Sequence, residues 1–208
     1  MTKEELNEEV QKDSRQWIDT GSGTLGRVFL EILHCDNLPN LDTGGFLGNK
    51  TDAFVAVVYE DAWGQTDVIA DTLHPRFLPW SKRAFIFHMF HPSSDMFLGV
   101  FDFDTGLDSH DLIGRVAINL SNLSPGTMYT LTYDLYPTAR LTERTSYGTV
   151  TIRLRLEIDD QRQMMMACLE PPPTQYINVK KKKEFQVVQM TVVGKHNVDA
   201  YSLKVITA

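Results

Sequence analysis

Residues 148–158 read GTVTIRLRLEI and alternate between apolar and polar side chains. This alternation is typical of a β-strand that buries one face and exposes the other to water. The apolar side chains of the stretch share one face: Val150, Ile152, Leu154, Leu156 and Ile158. The polar ones share the other: Thr151, Arg153, Arg155 and Glu157. The stretch therefore predicts a half-buried strand of an antiparallel sheet.

Further short runs with β-type patterns fill the chain upstream of this strand. We expect strands at residues 27–34, 52–60, 65–71, 83–90, 95–102, 112–119 and 128–136. No segment of helical length and periodicity separates them, which disfavours a parallel α/β fold. The pattern predicts an all-β protein, an eight-stranded antiparallel β-sandwich with Greek-key connections.

The two ends of the chain differ from this central part. Residues 1–18 predict a short amphipathic helix, since Thr2 and Glu5 have the spacing of a capping box; the alternative is a solvated arm that packs loosely. We divide the chain into an N-terminal helical arm and linker (1–25), a β domain (26–158) and a C-terminal extension (159–208). Because the extension ends within an apolar pattern, we expect the sequence to be a fragment, or residues 159–208 to belong to a following region.

Composition excludes several classes of function. The 208 residues carry a net charge of −7, which disfavours nucleic-acid binding and predicts repulsion from anionic membranes unless the charge changes locally. No apolar run approaches the roughly 20 residues of a membrane span. The acidic N-terminus is unlike a secretory signal, and Cys35 and Cys168 are isolated, so we expect a reducing, cytoplasmic compartment.

Aspartates are concentrated in two loops between predicted strands, at residues 41–52 and 102–111. Asp102 and Asp104 alternate at the end of a strand, so both side chains should project to the same side. Carboxylates this close repel one another and would protonate or separate without a cation. Calcium resolves the repulsion because it takes about 6–8 oxygen ligands, whereas magnesium demands a near-ideal octahedron.

The loops and their flanking strands resemble the C2 family, in its type II topology. The resemblance is carried by residues 41–57 (LDTGGFLGNKTDAFVAV), 72–89 (TLHPRFLPWSKRAFIFHM) and 100–116 (VFDFDTGLDSHDLIGRV), and it covers residues 26–158. It implies a calcium site with side-chain ligands Asp42, Asp52, Asp102, Asp104, Asp108 and Asp111, the carbonyl groups of Leu41 and Phe103, and about two ions. Loop one is longer than usual, and loop three has one extra residue before Asp111.

The resemblance also implies how the domain would bind a membrane. Apolar residues at the loop tips, Phe46, Leu47 and Leu107, would insert into the bilayer interface, and Lys50 and Arg76 would contact lipid phosphates. An alternative is that Phe46 and Leu47 fold back over loop one. The implied function is calcium-dependent binding to anionic phospholipid by a monomeric module that becomes peripheral to the membrane when calcium rises.

Two other functions deserve comparison. The first is a calcium-independent C2 scaffold that binds a protein partner, although the retained aspartates weigh against it. The second is a phosphatase of the haloacid dehalogenase type, because VFDFDTGL at 100–107 contains an Asp-x-Asp-x-Thr motif. That class needs a parallel sheet with intervening helices, which the pattern lacks. No Ser/His/Asp, Cys/His or glycine-rich phosphate motif appears, so we expect no enzymatic activity.

Overall fold

The computed structural model describes residues 1–41, 50–104, 110–137 and 146–169. Helix α1 spans Lys3–Val10, and helix α2 spans Gln161–Leu169. The strands in chain order are β1 (Ile18–Thr20), β2 (Gly26–Asp36), β3 (Ala53–Tyr59), β4 (Ala62–Gln65), β5 (Ala84–Met89), β6 (Asp95–Asp102), β7 (Asp111–Asn119), β8 (Met128–Asp134) and β9 (Thr149–Ile158). Of the described helices, neither combines the length and the apolar character needed to traverse a bilayer.

The strands form two sheets that face each other across one core. The first sheet has the order β1-β5-β2-β9-β8, and the second has the order β4-β3-β6-β7. Apart from the short parallel pair of β1 and β5, the neighbouring strands are antiparallel. The predicted antiparallel β-sandwich is therefore confirmed. The chain's first long strand, β2, leads into loop one and pairs with the last strand, β9.

The strand predicted at 65–71 is wrong. Strand β4 lies earlier, at Ala62–Gln65, and beyond it the described chain forms only an isolated bridge between Ile69 and Ala53. Thr66 explains the early end, because its buried Oγ1 accepts a hydrogen bond from the Val55 backbone at 2.9 Å. A side chain thus takes the place of a backbone carbonyl in the ladder.

The N-terminal arm begins as predicted and then departs from the prediction. Thr2 and Glu5 form the capping box, but α1 ends at Val10, and the following chain extends into β1. The fully buried Arg83 donates to the carbonyl oxygen of Val10 at 2.8 Å and to Ser14 Oγ at 2.7 Å. The arm is therefore packed against the first sheet.

Strand β3 is buried on both faces, which matters for the site described below. Its inner face contributes Ala53, Val55, Val57 and Tyr59 to the main core between the sheets. Its outer face contributes Phe54 and Ala56 to a smaller cluster with Phe101, and Val68, Phe103 and Leu112 pack around it. We call this smaller group the outer cluster. It lies directly beside the edge of the second sheet where the aspartates are found.

Candidate metal centre

Three strands of the second sheet bring predicted ligands to one edge. In the sheet register Asp102, at the end of β6, is paired with Ala53 at the start of β3 and with Asp111 at the start of β7. Asp52 immediately precedes β3, and Asp104 follows Asp102 by two residues. Strand pairing therefore places Asp102 beside Asp111 at this edge, and Asp52 and Asp104 adjoin the same strand ends along the chain.

Hydrogen bonds connect the bases of loops one and three. The Asp52 backbone donates to Asp102 Oδ1 at 2.7 Å, and the Phe103 backbone donates to the Asp52 carbonyl oxygen at 2.9 Å. Asp102 is only 2% exposed, so its carboxylate is held in place by its surroundings. These hydrogen bonds connect the start of β3, where loop one ends, to the end of β6, where loop three begins.

Asp71 is a residue of this site that sequence reasoning missed. Its backbone donates to Asp52 Oδ1 at 2.7 Å, and its own Oδ1 accepts from the Lys50 backbone at 2.9 Å. Asp71 has φ of 55°, in the left-handed region that aspartate tolerates better than most residues. The prediction of a strand over 65–71 concealed this turn, because the contacts of Asp71 are with Lys50 and Asp52, which are about twenty residues away in the sequence.

Thr51 holds the two ends of loop one together. The fully buried Thr51 accepts a hydrogen bond from the Leu41 backbone at 3.1 Å and donates to the Pro39 carbonyl oxygen at 2.8 Å. The backbone of Leu41, predicted to supply a carbonyl ligand, is therefore fixed at the base of the loop. Five of the predicted site residues lie outside the described residues: Asp42, Phe46, Leu47, Leu107 and Asp108.

At loop three the backbone of Asp104 is held by a histidine. Asp104 N donates to Nδ1 of His110 at 3.1 Å, and His110 is only 6% exposed. The imidazole stacks on Phe103, with centroids 4.7 Å apart, and meets the edge of Phe54 at 5.2 Å. The outer cluster thus extends into the base of loop three.

The structure places Arg76 away from its predicted role as a lipid contact. Its guanidinium donates to Asp36 Oδ1 at 2.7 Å, to the Cys35 carbonyl oxygen at 2.8 Å and to Asn7 Oδ1 of α1 at 2.9 Å. With these three partners, Arg76 links the N-terminal helix to the end of β2. Lys50, by contrast, is exposed, and its backbone donates to Asp71 Oδ1 at 2.9 Å.

The Arg76 ion pair also shifts the ionisation of its neighbours. Burial alone would raise the pKa of Asp36, but the hydrogen bond and positive charge of Arg76, helped by His74, hold that pKa below its ordinary value of 3.8. Burial, together with the positive charge of Arg76, lowers the pKa of His34 from its ordinary value of 6.5, against the opposing effect of Asp36. The surroundings at the end of β2 therefore favour the neutral form of His34 and the ionised form of Asp36.

The donor chemistry at the edge suits a hard divalent cation. The candidates are carboxylate and backbone carbonyl oxygens, which calcium prefers, and each carboxylate oxygen keeps a second lone pair when it accepts one N–H. Among the described residues there is no cluster of three His, Cys, Asp or Glu side chains arranged to hold a metal. Two of the six predicted carboxylates, Asp42 and Asp108, lie outside that part of the chain.

Comparison with known proteins identifies the family. The model of the C2 domain matches residues 26–135, just over half of the chain. The chain belongs to the C2 domain family. The matched range runs from the start of β2 to just beyond β8, so the N-terminal arm and strand β9 lie outside it.

Individual relatives agree with this assignment. Multiple C2 domain and transmembrane region protein 16 of Arabidopsis thaliana is 32% identical over 120 residues, 53% of this chain and 11% of the relative. The chain spans between a tenth and a fifth of the length of the curated relatives it matches.

Solved structures show the same fold. A single C2 domain of plant extended synaptotagmin 1 superposes with a TM-score of 0.55 at 18% identity, covering 67% of this chain and all of that domain. A calcium-bound pair of C2 domains from extended synaptotagmin 2 gives a TM-score of 0.52 at 19% identity, covering 65% of this chain and 47% of that one.

Proposed function

We propose that this C2 domain binds anionic phospholipid membranes in a calcium-dependent manner and acts as a non-catalytic membrane-targeting module. The observation that carries the proposal is the edge of the second sheet, where Asp102 accepts the Asp52 backbone and lies beside Asp111 in the register. Strand pairing fixes the backbone positions of these aspartates, which limits the reorganisation needed to bring their carboxylates around a cation.

The ligands in this proposal are the carboxylates of Asp42, Asp52, Asp102, Asp104, Asp108 and Asp111 and the carbonyl oxygens of Leu41 and Phe103. They would hold about two calcium ions, each of which takes about 6–8 oxygens. Bound calcium supplies positive charge with coordination positions that lipid phosphate or carboxylate oxygens can fill. The protein positions the acidic groups at one edge, so that neutralising them changes the local charge of an otherwise acidic molecule.

Contacts with the bilayer complete the proposal. Phe46, Leu47 and Leu107 would enter the interface and add apolar burial to the ionic contact. Lys50 would contact lipid phosphate, and its backbone is already fixed beside the aspartates by Asp71. We place the module in the cytoplasm as a monomer that joins the membrane when calcium rises.

Co-sedimentation with phosphatidylserine vesicles tests this function. We compare wild-type protein with the double variant Asp102→Asn/Asp104→Asn, in calcium and in chelator. Asparagine at position 102 retains an Oδ1 that can accept the Asp52 backbone, so the fold should survive while the negative charge is lost. We expect wild-type protein to pellet with vesicles only in calcium and the variant to lose at least tenfold in apparent calcium affinity, roughly 1.4 kcal/mol.

The matched control is Asp61→Asn/Asp159→Asn. Both aspartates are exposed and lie at the opposite end of the sandwich, after β3 and after β9. The control therefore removes the same net charge without touching the aspartate edge, and it should pellet like wild-type protein. Calcium-dependent pelleting that survives in the site variant would contradict the proposed site. Absence of pelleting under every condition would favour the calcium-independent protein scaffold.

A further inference from the structure

His110 occupies an unusual position at the base of loop three. It lies between Asp104 and Asp111 in the chain, yet its ring is turned inward and is only 6% exposed. The ring stacks on Phe103 at 4.7 Å and meets the edge of Phe54 at 5.2 Å. Phe54 is fully buried and stacks on Phe101 at 5.5 Å, so the imidazole rests on an aromatic platform built from β3 and β6.

The hydrogen bond from Asp104 N to His110 Nδ1, 3.1 Å long, fixes the orientation of the whole peptide group between Phe103 and Asp104. The Asp104 N–H and the Phe103 carbonyl belong to the same planar trans peptide group, so they point in opposite directions. An acceptor that holds the N–H therefore sets the direction of the carbonyl and turns it away from the imidazole. The same contact sets where the Asp104 side chain leaves the backbone.

We propose that His110 is a positioning residue of the calcium site: its Nδ1 orients the Phe103 carbonyl and the Asp104 carboxylate before calcium binds. This role rests on the proposed function. Since Nδ1 accepts a hydrogen bond, it carries no proton, and the structure assigns the ring proton to Nε2. The assignment distinguishes His110 from a residue that merely fills space, because a phenyl ring could fill the same space without the acceptor.

Two substitutions separate the acceptor from the ring. His110→Phe keeps an aromatic ring on the platform but removes the acceptor. His110→Asn removes the ring but offers a side-chain oxygen near the place of Nδ1. We expect His110→Phe to weaken calcium affinity by about tenfold, since the Asp104 N–H loses its partner. His110→Asn should recover most of that loss in affinity even though the metal-free protein is less stable.

A second histidine supplies a matched control. His91, in the turn between β5 and β6, is 3% exposed, and its Nδ1 accepts a hydrogen bond from the Ser93 backbone at 3.1 Å. The chemistry is the same, but the turn lies at the opposite end of the second sheet from Asp102. His91→Phe should therefore lower the thermal stability without changing calcium affinity.

The experiment is a calcium titration by isothermal calorimetry without lipid, with the thermal midpoint of each variant measured in chelator. In parallel, ¹⁵N NMR of the metal-free wild-type protein at neutral pH should show unprotonated Nδ1 and protonated Nε2 at His110. Unchanged calcium affinity in His110→Phe, an equal loss in His91→Phe, or a proton on Nδ1 would overturn the role of His110 alone. Wild-type protein that binds no calcium would overturn the proposed function and this role with it.

Discussion

At the scale of single residues, the aspartate edge depends on backbone hydrogen bonds as much as on carboxylates. Asp52 is held from two sides: its backbone donates to Asp102, and its Oδ1 accepts from the Asp71 backbone. Each N–H offsets part of the negative charge of the carboxylate that accepts it, which lowers the repulsion among the aspartates at this edge.

Asp71 gives a direct test of this positioning. Asp71→Gly keeps the backbone N–H and suits the positive φ but removes the acceptor for Lys50, whereas Asp71→Asn keeps an acceptor. We expect the glycine variant to lower calcium affinity several-fold and the free energy of unfolding by about 0.5–1.5 kcal/mol, and the asparagine variant to lie close to wild type. Urea denaturation and calcium titration measure both quantities. Equal losses in the two variants would indicate that the charge of Asp71, not its hydrogen bond, is what matters.

His34 predicts how stability depends on pH. Because its pKa in the folded protein lies below the ordinary value of 6.5, the unfolded chain takes up the proton first, and stability falls as the pH drops through 6.5. Asp36 adds a second loss at lower pH, since its folded pKa lies below 3.8 and its stabilisation disappears as it protonates. Denaturant unfolding between pH 7 and 5 should therefore show a smaller slope for His34→Gln than for wild-type protein. An identical slope would contradict this account.

At the scale of elements, the sequence predicted what local pattern determines and missed what tertiary contacts determine. The alternation over 148–158 predicted β9, and Thr2 with Glu5 predicted the start of α1. The error at 65–71 arose because Thr66 replaces a ladder hydrogen bond with its side chain. Strand β1 escaped detection because its three residues form a strand only by pairing in parallel with β5.

The site was predictable to a similar extent. The concentration of aspartates in two loops indicated a cation site, and the family resemblance implied its ligand set; the register of β3, β6 and β7 places Asp102 beside Asp111 at the ends of these loops. The contacts of Asp71, Arg76 and His110 were not predictable, because they join segments that are distant in sequence or depend on the direction of a side chain.

Hydrogen bonds of Ser14 attach the N-terminal arm to the first sheet, and a substitution at this residue tests that attachment. Ser14 Oγ accepts from the buried Arg83 and donates to Glu31, itself 2% exposed, which also accepts from Arg153. We expect Ser14→Ala to lower the free energy of unfolding by about 1–3 kcal/mol, because buried charged groups lose a partner. Ser22→Ala, which removes an exposed bond to Asp61, should cost no more than about 0.5 kcal/mol. Equal effects in urea denaturation would show that the arm is not held by this contact.

At the scale of the whole molecule, the buried ion pairs and the clustered aspartates lie on different sheets of the sandwich. Buried ion pairs on the outer face of the first sheet attach the arm, and aspartates at one edge of the second sheet form the candidate metal centre. The main core and the outer cluster bury both faces of β3, which gives that edge a rigid support. In the proposed function, neutralising this edge is the change that allows a molecule of net charge −7 to contact an anionic bilayer.

The most direct test of this account is reversible co-sedimentation of the wild-type protein with phosphatidylserine vesicles. Calcium is added first, and a chelator is then added to the same sample. We predict that the protein moves to the pellet with calcium and returns to the supernatant when the calcium is removed. Protein that pellets equally before calcium and after chelation would contradict calcium-dependent membrane binding.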